Sequence, residues 1–143
     1  EPVHRRVNRW GTDRLTIYQH ALDADWSPIH SEVDAGELMY EPFDQHLRQQ
    51  LLAAAMQADP DTQGGFATVR LIHVSPHANR AFHEGVTAPI LHGHATVADA
   101  WRSVLRDPDT YDSFHYEDLL EVAQATASEA WVTYQSQRYG WSE

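Results

Sequence analysis

The chain has 143 residues, 42% of them hydrophobic, which suits one domain with a core of real size and argues against disorder. It contains no cysteine, which removes disulfides, thiolate metal sites and cysteine nucleophiles. Its 21 acids stand against 10 bases, all of them Arg, and the resulting charge of -11 repels a phosphate backbone over most of the surface, so nucleic-acid binding would need a local Arg cluster or a metal.

Residues 1–10 carry Arg5, Arg6 and Arg9 and read as a flexible lead-in. Thr12 is placed to cap a short helix with Leu15, Tyr18 and Leu22 on one stripe. Residues 23–37, with Pro28, Gly36 and five acids, read as a loop. The strongest helix is expected over 42–58, where Leu47, Leu51, Ala54 and Ala55 recur at helical spacing and His46, Gln50 and Gln57 fall on the opposite face. Pro60 and the Gly64-Gly65 pair end it.

Residues 66–74 then read as a strand. Val69, Leu71, Ile72 and Val74 make it a nearly continuous β-branched and aliphatic run, the kind covered on both faces. Ser75-Pro76 stops it, and a short helix through Asn79 to Glu84 follows. Thr96 with Asp99 resembles a capping box and opens a helix that puts Val97, Trp101, Val104 and Leu105 on one face. Asp107-Pro108-Asp109 closes that helix, and residues 110–115 suit a short edge strand. Residues 117–139 lack Gly and Pro, which predicts one long helix, or two with a break near Thr126, ending at Gly140. Trp101 and Trp131 are expected in the core. The fold class is therefore α/β with very few strands. One or two strands do not make an independent sheet, so either further strands are hidden here or a protein partner, a second copy or other residues complete it.

The longest apolar run is residues 51–56, too short to cross a bilayer, and the basic start has no apolar stretch behind it to make a signal peptide. A cytoplasmic protein without membrane association is the expectation. Arg without Lys, together with abundant Ala, looks like GC-rich coding with some salt adaptation. The chain does not begin with Met, which a native start upstream of Glu1, processing or a trimmed tag would explain equally well.

Candidate chemistry is sparse. On a wheel of about 100° per residue, Gln45 and Arg48 fall on the apolar arc of the 42–58 helix, where they would either line a cleft for an anionic substrate or anchor a neighbouring loop. His73, Ser75, His77 and Asn79 gather after the strand, at the end where open α/β sheets bind ligands. Without a nucleophile elbow, Ser75 followed by Pro76 also reads as a plain turn. His92 and His94 are the closest histidine pair and the candidate metal ligands, although no third ligand is evident and solvated loop histidines would look the same. The acids at 107, 109, 117 and 118 read as helix-end and loop charges.

Four stretches, in order over residues 11–101, resemble a family of bacterial restriction-endonuclease-like proteins of the PD-(D/E)XK nuclease superfamily. They are Gly11-Thr12-Asp13-Arg14-Leu15 with Tyr18; Leu38-Met39-Tyr40-Glu41-Pro42-Phe43 with Gln45 and residues 47–53; residues 69–75 with Pro76, Ala78 and Asn79; and residues 96–101. The resemblance implies a partial restriction-endonuclease-like core with a C-terminal helical extension. The superfamily's Asp and Glu-x-Lys bind Mg²⁺ and activate water for phosphodiester hydrolysis. Those residues would lie upstream, and a chain without Lys has no Glu-x-Lys. The resemblance thus implies residues 1–143 as the later part of a larger nuclease-like domain. Such a piece would have no cofactor of its own, with Mg²⁺ and DNA bound through the full-length parent. It also suggests Gln45, with Arg48 behind it, as residues near an active site; with Gln49 and, from the strand end, His73 and Ser75, these are the candidate cleft-lining residues. An acidic protein-interaction module without catalysis is the alternative.

Overall fold

The computed structural model describes residues 14–59, 61 and 66–139. The lead-in over residues 1–10, Thr12 and Gly140 lie outside the described residues.

Helix α1 (Arg14–Leu22) lies against α2 (Phe43–Ala58). In α2, Phe43, Leu47 and Leu51 repeat every fourth residue, so all three sink into the core, and the helix stops where Asp59 turns extended. Leu38, Met39, Leu91, Val97, Trp101, Val104 and Leu105 close around them. Trp101 is fully buried, its ring 6.4 Å from that of Phe43. It sits on α4 (Val97–Arg102), and the Thr96 hydroxyl caps that helix, accepting from the Asp99 amide at 3.0 Å. Trp101 is thus in the core as expected. The segment 23–37 contributes more than a loop does. Ile29 is buried and bridges antiparallel to Leu105, while Asp34 caps a 3-10 turn over Ala35–Leu38. A single apolar residue among polar neighbours has no period for a sequence reading to detect.

Strands β1 (Leu71–Ser75) and β2 (Tyr111–His115) pair in parallel, with Leu71 opposite Tyr111 and Ser75 opposite His115. The crossover between them carries the short helix α3 (Arg80–Glu84) and α4. Asp112 of β2 receives Arg70 at 2.8 Å and Arg102 at 3.3 Å, which ties the sheet to α4. The expected first strand is shorter than its apolar run, since residues 66–70 remain outside it. The expectation that it is covered on both faces is also corrected. Leu71, His73 and Ser75 turn toward α2, but Ile72 (54% exposed), Val74 and, on β2, Phe114 face outward. A run without polar alternation signals that both faces are apolar. It does not say whether this chain supplies the second layer.

The C-terminal helical region divides into α5 (Tyr116–Gln124) and α6 (Glu129–Tyr139). Ser128 makes the break by capping α6, its Oγ accepting from the Trp131 amide at 3.3 Å. The helices are joined by a hydrogen bond from the Tyr116 hydroxyl to Gln135. Trp131 is 41% exposed, not core as its spacing suggested, because α6 packs on α5 and leaves its aromatic positions to solvent. The architecture is α/β: a two-stranded parallel sheet, helices on one side and a helical extension, consistent with a partial restriction-endonuclease-like fold.

Candidate functional site

Parallel pairing in register brings the carboxyl ends of both strands side by side, so Ser75 and His115 are neighbours. Helix α2 crosses the face that carries His73 and Ser75. Beside them lies an open cavity of about 510 Å³, lined by Gln45 and Gln49 from α2, all five β1 residues from Leu71 to Ser75, and Pro76, Asn79 and Phe82 beyond the strand. Gln45, Gln49, His73 and Ser75 are four of the five residues singled out from sequence. The fifth, Arg48, lines a separate apolar hollow with Tyr18, Leu52 and Ala55.

The helical-wheel reading of α2 is corrected on both sides. Gln45 and Arg48 are exposed rather than on the buried arc, whereas His46 and Gln50, expected to face solvent, are each 1% exposed. Partners distant in sequence explain the inversion. His46 Nδ1 lies 2.9 Å from the Pro42 carbonyl and Nε2 lies 3.0 Å from the Tyr111 hydroxyl. A carbonyl only accepts, so Nδ1 carries the proton and Nε2 accepts from Tyr111. Burial pushes the Tyr111 phenol up to about 12, which keeps its hydrogen available for that bond. Gln50 donates to the Thr110 hydroxyl at 3.1 Å. Burial lowers the affinity of His46 for a second proton, outweighing the Pro42 carbonyl and the Asp44 carboxylate, which act the other way.

His73 stacks on Phe82 and lies 5.0 Å from the His46 ring. Burial, and then His46 and His83, push its imidazole down to about 4, so it is neutral at pH 7. Every polar residue lining the cavity is therefore uncharged. Amides, a hydroxyl and a neutral imidazole suit hydrogen bonding to a ligand's polar edge, not neutralisation of a phosphate.

Ser75 is buried, with Oγ 3.2 Å from His83 Nε2. The same nitrogen is 3.0 Å from the Pro76 carbonyl. It must therefore carry a hydrogen, shared toward both oxygens, and cannot take the proton of Ser75. The geometry holds a turn together and activates no nucleophile.

The Mg²⁺ implied by the resemblance does not fit this cavity. Magnesium is a hard cation that takes carboxylates and water, and no lining residue is acidic. His92 and His94, the pair favoured by sequence, are exposed, and among the described residues no third ligand joins them. The group that does come together is His77, His115 and Asp118, outside the cavity lining. His77 belonged to the sequence cluster after the strand, but His115 and Asp118 lie about forty residues further on, and no local spacing links them.

A family model described as the PD-(D/E)XK nuclease superfamily matches residues 13–141. Comparisons with curated proteins and with solved structures give no match.

Proposed function

Since the chain belongs to the PD-(D/E)XK nuclease superfamily, we propose that residues 1–143 are the later part of a nuclease-like domain whose substrate is DNA. The observation that carries this reading is the open outer face of the sheet, with Ile72, Val74 and Phe114 exposed side by side on two parallel strands. Parallel sheets are stable when both faces are covered, and two strands alone are marginal. Further strands or a further layer of the same domain are the natural cover.

In this reading the catalytic carboxylates come from those further strands. A divalent metal held there would supply an activated water for phosphodiester cleavage. The residues of this chain form a wall. Gln45 and Gln49 stand one helical turn apart on the cavity rim and present amide donors and acceptors. His73 stays neutral behind them, and Arg48, exposed beside them, supplies the nearest positive charge on α2. The acidic surface keeps this part from holding a duplex by itself. No helix of the described residues is long and apolar enough to cross a membrane, and the reading places the protein in the bacterial cytoplasm.

A second reading, an acidic interaction module without catalysis, draws on the exposed Trp131 and Tyr134 of α6. One experiment separates the two: the intact mass and nuclease activity of the native protein from its own cells. The nuclease reading expects a mass well above 16.3 kDa and plasmid cleavage that needs Mg²⁺ and stops with EDTA. A mass of 16.3 kDa without cleavage overturns it in favour of the interaction module.

A further inference from the structure

Where the two strands end, three side chains from three separate elements converge. His77 follows β1, His115 is the last residue of β2, and Asp118 lies in the first turn of α5. Each offers a ligand atom, and the three atoms lie within 4.8 Å of one another. We propose that His77, His115 and Asp118 bind a divalent transition-metal ion of the Zn²⁺ class. This site is separate from the nuclease reading and does not depend on it.

The donor set selects the metal. Two imidazoles and one carboxylate are borderline ligands that suit Zn²⁺ and its neighbours and suit Mg²⁺ poorly. Ligand bonds of about 2.0–2.2 Å place tetrahedral donors roughly 3.3 Å apart. His77 Nε2 and Asp118 Oδ1 are already 3.7 Å apart. Both side chains are more than half exposed, which gives them room to turn toward a shared ion.

The scaffold holds the donors together. Strand pairing fixes Ser75 against His115. The Glu117 carboxylate accepts from the His77 main-chain amide at 3.0 Å, which pins the turn after β1 to the start of α5. The rings of His77 and His115 stack with centroids 3.6 Å apart, and His83 meets His115 edge-on at 4.3 Å. An ion pair between His77 and Asp118 accounts for two of these residues only. It does not involve the second imidazole, His115, which lies against the first. His115 Nδ1, moreover, is buried without a hydrogen-bond partner among the described residues. Two imidazoles and a carboxylate gathered from three elements make a donor set that a metal ion takes. Three protein donors leave a fourth position for water or an outside ligand, so the ion would clip the sheet end to α5 and remain open on one side.

The test uses the full 143-residue chain, prepared without a histidine tag and stripped with EDTA. Zn²⁺ is titrated by calorimetry, and Co²⁺ by its visible absorption. The expected result is one ion per chain at micromolar Kd or tighter, with Co²⁺ bands of tetrahedral or five-coordinate type. His77→Ala and Asp118→Asn alter exposed side chains, and each should weaken binding at least tenfold with an unchanged circular dichroism spectrum. His92→Ala with His94→Ala should leave binding unchanged. The proposal fails if no stoichiometric binding is seen, if His77→Ala and Asp118→Asn leave the affinity intact, or if loss follows the 92 and 94 pair. A finding that ions bind several histidines weakly and at random equally overturns it.

Discussion

The His46–Tyr111 pair can be tested by a double-mutant cycle. Both residues are 1% exposed, and each satisfies the other. Tyr111→Phe keeps the ring and removes the hydroxyl, which strands the Nε2 lone pair of His46 in the core. An unmet buried acceptor costs about 1–3 kcal/mol. His46→Leu strands the Tyr111 hydroxyl and also frees the Pro42 carbonyl, which His46 holds at 2.9 Å, so about 2–4 kcal/mol is expected. In the double variant the Tyr111 hydroxyl and the Nε2 are both gone, so the penalty for stranding one of them is not paid twice. The double variant should therefore be more stable than the sum of the single effects by about 1–2 kcal/mol. Urea unfolding followed by tryptophan fluorescence measures all four proteins, provided the parent chain has the several kcal/mol usual for a domain. Additivity within about 0.5 kcal/mol would refute the assignment of Nε2 as an acceptor from Tyr111.

Four further outcomes follow from the same geometry. The folded chain holds His46 and His73 below their ordinary 6.5, His73 at about 4, so the unfolded chain takes up those protons first. Stability is therefore full above pH 6.5 and declines toward pH 4, and thermal scans should give a Tm that falls across this window more steeply in the parent than in His73→Gln. His73 is about half buried, so solvent screening keeps its share small. Thr96→Ala removes the hydroxyl that meets both the amide and the carboxylate of Asp99, and should cost about 1 kcal/mol in urea unfolding. Ile72→Glu with Val74→Glu charges the open sheet face. It should change the unfolding free energy of this chain by less than about 1 kcal/mol, lower its binding of a hydrophobic dye, and abolish cleavage by the native protein. Ser75→Ala should leave any nuclease activity of the native protein within a few-fold of the parent, because His83 donates to Ser75; a hundredfold loss in kcat would show a nucleophile after all.

What was legible in the sequence divides along the reach of each signal. The Thr96 cap, the helix over Phe43–Ala58 and the strand over Tyr111–His115 are written in neighbouring residues, and the fold keeps all three. The errors come from residues whose surroundings lie far along the chain. His46 and Gln50 read as a polar face because a wheel counts apolar side chains alone. Their burial is made tolerable by Tyr111 and Thr110, 65 and 60 residues away. Arg48 read as buried for the complementary reason: once His46 and Gln50 turn inward, the helix rotates and Arg48 turns out. The cleft was nearer to view, since Gln45, Gln49, His73 and Ser75 need only α2 packed against β1 to meet. The His77, His115 and Asp118 cluster depends on the parallel register of β1 and β2, which no single-sequence pattern fixes. The open face formed by Ile72, Val74 and Phe114 belongs with these cases. Its apolar pattern stated a demand for a covering layer, and the source of that layer is a long-range fact of the same kind as the partner of His46. An uncharged cleft and one uncovered sheet face are the two features on which the proposed reading, a wall of a larger nuclease-like domain, rests.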